Sequence, residues 1–552
     1  MTNLHRLRFM WPAVWSLIGA LALSHNLFAT DYFVTIGGGY VPEQNQASLE
    51  ANVIFFQSVL DQQHHSNRSH DIFFSDGSAA EADLQVLAPK EPSTLPATDL
   101  LASLHRRGGP PGSKVEYRNH RVPQCAGPTS PDGIHSAISR IAKDAKTGDR
   151  LLVYVTAHGG EGSEDAPHNT NITCWNNQSI TVREFTKWLD ELPSDLPVVL
   201  VMAQCYCGGF ADTIFADPQT RETLTPKNRV GFFAQQYDLP AAGCRPDIEH
   251  DQEFSSYFWG AMLGHSRNGD PMPGADADKD GSVSFDEAFA HAVIVGETID
   301  IPLKSTDVLL RKFSRIPDYE LMSERGRKAP PPKPKEESPA NKDDAKQPAE
   351  FVEKPAEKPA EKPAPVLPAK MSGPLRDLLV NASPATRRIV VELGQQLELP
   401  LDKTVDDLLR AYENHKQSQS GRPSQRGPGG RRGGRRGGGR ELLAEIAEKW
   451  PDLADPEQWK KSELLKAENQ QTLFEDLKKL PAYAVYEQRR LAREEQSKQA
   501  EQHELQEVKY RRLIDTLENL TLARNLSTAA TKEVVDRYQA MLRLELSSLG
   551  SR

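Results

Sequence analysis

The sequence is short of what would make a chain greasy, basic or heavily cross-linked. Hydrophobic residues are 38% of its 552 positions, aromatic residues 7%, and the mean hydropathy is −0.58. A chain of this length can form several domains, but with so little apolar content it is not packed core throughout, so part of it is tail or linker. Positive charge is not in excess: 67 Lys and Arg against 77 Asp and Glu leave a formal charge of −10, which argues against a general nucleic-acid binder. Beyond Leu23 no stretch is long and apolar enough to cross a membrane. Cysteine is scarce. The five are Cys125, Cys174, Cys205, Cys207 and Cys244, an odd count that leaves at least one thiol unpaired in an oxidising compartment.

What is present begins with a targeting signal. Arg6 and Arg8 precede an apolar stretch from Phe9 to Leu23, interrupted by Pro12 and followed by a small residue, Ala29. The stretch is shorter than the ~20 residues that span a bilayer. A basic start, a short apolar middle and a small cleavage residue predict a signal peptide over 1–29 and a secreted or periplasmic protein with no membrane span after its removal.

From Asp31 to about Pro317, strand-length apolar runs alternate with segments of helical period, which predicts a parallel sheet with covering helices. The expected strands are 31–37, 70–76, 150–159, 197–205 and 230–235, and the expected helices include 48–60, 132–145 and 181–192. Strands this continuously apolar suit a sheet buried on both faces, where ligands gather at the carboxyl ends of the strands. From 324 to 370 the composition turns to Pro, Lys, Glu and Ala, including EKPAEKPAEKPA, and predicts a disordered linker. Helical patterns follow in 371–420 and 441–552, divided by a Gly/Arg-rich flexible loop at 421–440. Alternating charge and Gln in 487–512 suggests a long solvent-exposed helix open to coiled-coil pairing, without a sustained heptad.

Two strand ends carry chemistry. YVTAHGG delivers His158 and MAQCYCGG delivers Cys205, each followed by glycines that let a substrate backbone approach. A cysteine is a useful nucleophile where it is accessible and a base can take its proton. Neighbouring parallel strands could bring these two ends together.

The ordered pair TAHGG and AQCYCGG, with NTNITCWNNQSITVREFTKWL between them, resembles the caspase and hemoglobinase clan of cysteine peptidases, most closely the legumain family, over roughly residues 31 to 315. The resemblance implies an α/β fold with a mostly parallel sheet covered by helices on both faces, in a peptidase domain over 30–323. It implies Cys205 as nucleophile, His158 as acid and base, and an oxyanion site made by the backbone N–H groups of Gly159 and Cys205. Cys207 stands where a serine is usual in the family. A Cys207–Cys244 disulfide and a Cys125–Cys174 disulfide are the expected uses of the other thiols, although counting does not fix connectivity.

The same resemblance implies a pocket that reads the residue before the scissile bond. The loop after the first strand, 37–48, has Gln44 and Gln46 but no Arg or Lys, which disfavours cleavage after Asp. Asp247, Glu249 and Asp251, with Glu253 beside them, fall where the family builds its pocket and could bind a Lys or Arg side chain. Ala203 and Gln204 stand where an acid precedes the cysteine in metacaspases, which weakens the basic-substrate idea; Asn preference stays open. If basic residues are the target, GGRRGGRRGGGR offers a self-cleavage site.

DADKDGSVSFDE, 276–287, fits the EF-hand loop template, with Asp276, Asp278 and Asp280 at the first three acidic offsets and Gly281 at the turn. Ser282, Ser284 and Glu287 complete the expected calcium ligands; the plainer reading is an Asp-rich turn capping the next helix. Calcium at one structural site is the only cofactor expected, with no organic cofactor. The sequence thus predicts an exported cysteine endopeptidase acting on protein or peptide substrates, with no nucleic-acid partner. The alternatives are an inactive scaffold of the same fold whose helical C-terminus binds a partner, and a transpeptidase of the same clan.

Overall fold

The computed structural model describes residues 29–63, 68–87, 95–105, 115–243, 252–315, 321, 370–420 and 437–549. Residues 1–28 of the signal expected over 1–29, all of the expected linker but Lys370, and residues 421–436 of the Gly/Arg-rich segment lie outside the described residues, as do Cys244, Asp247, Glu249 and Asp251.

The architecture is α/β, with a mostly parallel central sheet flanked by helices and a helical C-terminal region. In chain order the strands are β1 (Asp31–Gly38), β2 (Arg68–Phe74), β3 (Leu84–Leu87), β4 (Val115–Arg118), β5 (Cys125–Gly127), β6 (Arg150–Gly160), β7 (Asn171–Cys174), β8 (Gln178–Thr181), β9 (Val198–Met202), β10 (Arg229–Phe233) and β11 (Leu303–Lys304). The main sheet has the order β11-β10-β9-β6-β1-β2-β5, parallel except for β11, and β7 and β8 form an antiparallel extension of β6. β3 and β4 pair separately. Residues 31–38 of β1 and 198–202 of β9 are buried without interruption, as is β6 through Ala157. That is the burial their unbroken apolar runs demand.

The helices are α1 (Ala47–Gln62), α2 (Pro96–His105), α3 (Pro131–Asp144), α4 (Val182–Asp190), α5 (Phe254–Leu263), α6 (Phe285–Val295) and α7 (Ser305–Phe313). The C-terminal region adds α8 (Leu375–Leu378), α9 (Pro384–Gln396), α10 (Val405–Ser420), α11 (Gly437–Lys449), α12 (Pro451–Ala454), α13 (Gln470–Lys478), α14 (Pro481–Ala529) and α15 (Lys532–Glu545). Starts are set by side-chain oxygens. Ser130 accepts from Gly133 N at the head of α3, and Thr181 with Glu184 forms a capping box on α4. Phe56 of α1 packs on Tyr154 and on Trp259 of α5, with ring centroids 4.9 and 4.4 Å apart.

Three expectations are corrected. The strand expected over 197–205 ends at Met202, because the chain turns there and Tyr206 takes the left-handed conformation (φ 60°). The loop expected over 421–440 is helical from Gly437. Most important, the C-terminal region is not separate: Leu375, Ile389, Leu393, Leu513, Leu517, Leu526 and Met541 belong to the same buried cluster as the sheet. A second cluster joins Ala97 and Leu101 of α2 to Leu442, Leu453, Leu473 and Leu477. α14 is a single 49-residue helix, exposed at every position from 488 to 502 and buried again from Val508. No helix of the described residues is long and apolar enough to cross a membrane.

Candidate active site

The register of β6 on β9 pairs Val155 with Met202, so His158 and Cys205 each lie three residues beyond the last paired position, on adjoining strand tips. The pairing carries on past the strand end, where Ala203 N donates to Val155 O. Gly159 closes the arrangement. A Cβ on it would fall 2.1 Å from the Cys205 carbonyl oxygen and 2.8 Å from Cγ of Gln204. Only glycine lets the backbone after His158 lie directly against the backbone of Cys205.

His158 is aimed by the loop after β1. Its Nε2 lies 2.8 Å from the Gln44 carbonyl and 3.0 Å from Gln46 Oε1. Both are acceptors, so Nε2 carries the hydrogen and Nδ1 keeps the lone pair. Tyr40 stacks edge-on against the ring at 5.5 Å. The loop is pinned by Asn45, wholly buried, whose Oδ1 accepts from Gly39 N (2.9 Å) and whose Nδ2 donates to the Asp83 carbonyl (3.0 Å) and to its Oδ2 (3.3 Å). Burial lowers the His158 pKa, and the Gln44 hydrogen bond opposes this.

Cys205 is half-buried. Its Sγ accepts from Ala241 N (3.3 Å) and donates to Ala241 O (3.7 Å). Burial raises its pKa, against the Ala241 N–H, which lowers it. Thiol and imidazole are therefore both shifted toward their neutral forms. The αL residue Tyr206 follows, with its N–H on Leu239 O and its carbonyl held by Thr170 Oγ1. Its hydroxyl donates to Glu161 Oε1 (2.7 Å), bridging the segments that follow the two strand tips. Gly208 and Gly209 turn the chain beneath: a Cβ on either would meet backbone or Thr170 Oγ1 within 2.7 Å.

The structure separates the two neighbouring cysteines. Cys207 is wholly buried, with Sγ between the N–H (3.3 Å) and carbonyl (3.4 Å) of Gln235, and its pKa is driven up by burial. It is a core thiol and it is free; its expected partner, Cys244, lies outside the described residues. The expected Cys125–Cys174 bond is not formed. Cys125 on β5 turns its thiol to Gly127 O, and buried Cys174 on β7 turns its own toward Ile172 O.

Of the expected pocket acids only Glu253 is described, and it is spent: it is 2% exposed and caps α5, accepting from the amides and hydroxyls of Ser255 and Ser256. Sequence reading missed Arg267, which reaches from beyond α5 to Ser48 O (3.2 Å) and to Asn52 Oδ1 under the first-strand loop. Asn52 in turn donates to Thr156 Oγ1, two residues before His158. No local pattern marks such an arginine, since it arrives from another part of the chain.

In the 276–287 loop, ligand oxygens of Asp276, Asp278 and Glu287 lie within 4.8 Å of one another. Gly281 has φ +92°, as the sharp turn requires. Asp280 is not grouped with them and accepts from Ser282, while the hydroxyl of Ser284 donates to Glu287 Oε2 (2.8 Å) in the capping box that starts α6. The calcium reading and the helix-capping reading thus share Glu287. Asp76, Asp83 and His120 form a further group of this kind, which sequence spacing did not reveal.

No family model matches the chain, and no curated protein matches it. Among solved structures, the crystal structure of protein GSU0716 from Geobacter sulfurreducens is similar over 50% of this chain and 92% of that one, at 10% identity and a TM-score of 0.28. A likeness of that size carries no argument about fold or activity.

Proposed function

We propose that the chain is a cysteine endopeptidase of the caspase and legumain clan, with the peptidase fold of that clan, acylated at Cys205. The observation that carries this reading is the juxtaposition of His158 and Cys205 on neighbouring strand tips, with Gly159 pressed against the nucleophile's backbone. His158 Nδ1 takes the Cys205 proton as Sγ attacks the peptide carbonyl carbon. The negative charge that develops on the carbonyl oxygen is met by the N–H groups of Gly159 and Cys205. As the C–N bond breaks, the imidazole returns the proton to the leaving amine, and a thioester remains on Sγ. A water molecule, deprotonated by the same nitrogen, then attacks the thioester and releases the acid and the thiol. Gln44 and Gln46 hold the ring through both proton transfers.

The reading extends to a protein exported from the cytoplasm and to a calcium ion held by the 276–287 loop, through Asp276, Asp278 and Glu287. Labelling with a peptidyl acyloxymethyl ketone tests the enzyme: the label is expected on the wild type and on Cys207→Ala and absent from Cys205→Ala. A label retained in Cys205→Ala overturns the assignment.

A further inference from the structure

The helix α14 carries a buried arginine whose contacts lead back to the nucleophile. Arg512 is 3% exposed. Its Nε donates to Asp300 O (2.9 Å), Nη1 to Val293 O (3.0 Å) and Gly296 O (2.7 Å), and Nη2 to Thr298 O (3.2 Å) and Thr298 Oγ1 (3.3 Å). A guanidinium has five N–H donors, and these contacts use them all. Burying such a charge is costly unless its donors are met, and here the carbonyls of the segment between α6 and β11 meet them.

That segment in turn holds the loop that seats the thiol. Asp300 Oδ1 accepts from Ala242 N (2.8 Å), and its Oδ2 accepts from Thr298 Oγ1 (3.0 Å). Gln235 bridges the same two stretches, with Nε2 donating to Pro240 O and Ile299 O and Oε1 accepting from Ile301 N. Ala241, beside Ala242, is the residue whose N–H and carbonyl both meet Cys205 Sγ. From the same helix, Asp515 Oδ2 accepts from Gln236 Nε2 (3.2 Å), so α14 grips the loop on both sides.

We propose that Arg512 is a positioning residue for Cys205, acting through Thr298, Asp300 and Ala241, and that α14 is thereby a built-in part of the active site. This rests on the cysteine-peptidase reading for its functional meaning. The geometry it describes concerns the reactivity of one thiol and can be tested on the full-length chain whether or not peptide turnover is found.

The test compares wild type with Arg512→Lys and with the near-isosteric Thr298→Val, which removes one acceptor of Arg512 and one donor to Asp300. The control is Arg493→Ala, on the same helix but exposed. Iodoacetamide modification of Cys205 is followed at one neutral pH by peptide mass spectrometry, beside thermal melting and steady-state kinetics on a cleaved peptide. With the Ala241 cradle loosened, Cys205 is expected to alkylate about threefold faster or more, while kcat falls about tenfold and KM stays within about threefold. General loosening would also expose the buried thiols Cys174 and Cys207, so both are followed in the same digests and are expected to stay unmodified; their alkylation in step with Cys205 overturns the proposal. Should Arg512→Lys fail to fold, Thr298→Val gives the same two signs with smaller size. The proposal is overturned if folded variants alkylate Cys205 within about twofold of wild type. A wild type that cleaves no peptide, while its alkylation still responds to Arg512, removes the peptidase reading and leaves the positioning link standing.

Discussion

The backbone at Gly159 lies against the carbonyl of Cys205 so closely that a single methyl on the glycine would fall 2.1 Å from the oxygen. Backbone meets backbone here, so no side chain can swing away to make room. Gly159→Ala is therefore expected to cost about 1–3 kcal/mol of stability and to displace Cys205. Because a small misplacement at a reacting centre is amplified, labelling of Cys205 by a peptidyl probe should slow by about a hundredfold. Melting curves and probe kinetics on the purified variant check both; a variant that labels at the wild-type rate contradicts the contact.

The thiol and the imidazole are both held toward neutrality. Burial raises the Cys205 pKa above the usual 9.0 and lowers that of His158 below 6.5. A raised thiol pKa means the thiolate accumulates only as pH rises beyond the ordinary cysteine range. Iodoacetamide alkylation of Cys205 should accordingly climb through alkaline pH with no fast plateau on the acid side. A plateau near pH 5 would indicate a preformed thiolate–imidazolium pair instead.

Calcium and helix capping compete for the credit at Glu287, and Asp276 separates them, because it serves the loop alone through Lys279 N and Gly281 N. Adding calcium at about a hundredfold excess over its dissociation constant is expected to stabilise the wild type by about 2.7 kcal/mol. Asp276→Asn should lose that increment while melting within about a degree of wild type in EDTA, since one repelling carboxylate has gone. Differential scanning calorimetry with and without the ion decides it; identical melting in both conditions for the wild type removes calcium from this loop.

His291 on α6 is buried, and neither ring nitrogen has a hydrogen-bond partner among the described residues. Burial, aided by Arg388 and opposed by Glu392, lowers its pKa from 6.5 to about 4. The unfolded chain takes up a proton near pH 6.5 and the folded chain does not. The stability that neutral His291 contributes is thus present above pH 6.5 and lost as pH falls toward 4, by on the order of 3 kcal/mol. His291→Leu should flatten the stability profile between those pH values, which urea denaturation at a series of pH values would reveal. An unchanged slope would mean the ring is protonated in the fold.

The core strands were plain in the sequence because a strand buried on both faces has to be apolar at every position, as in LLVYV of β6 and VVLVM of β9. The short strands β3, β4, β5 and β11 escaped notice because two to four residues give no period to detect. His158 and Cys205 were visible as residue types ending apolar runs. Gln44 as the holder of the ring was not, because it acts through a carbonyl that every residue carries. Arg512 lies on a helix beyond the expected linker, and nothing local tells that its guanidinium is buried against the segment between α6 and β11.

Sequence alone therefore determined the alternation of strands and helices, the glycines after each candidate residue, and the acidic loop with its tight turn, since each is dictated by neighbours within a few positions. Tertiary structure alone decided which cysteine is half-buried beside the strand tips and which is core, that Glu253 is consumed as a cap, and that the C-terminal helices share the sheet's core. Burial and long-range hydrogen bonding join residues hundreds of positions apart, and no local pattern records which of them will meet.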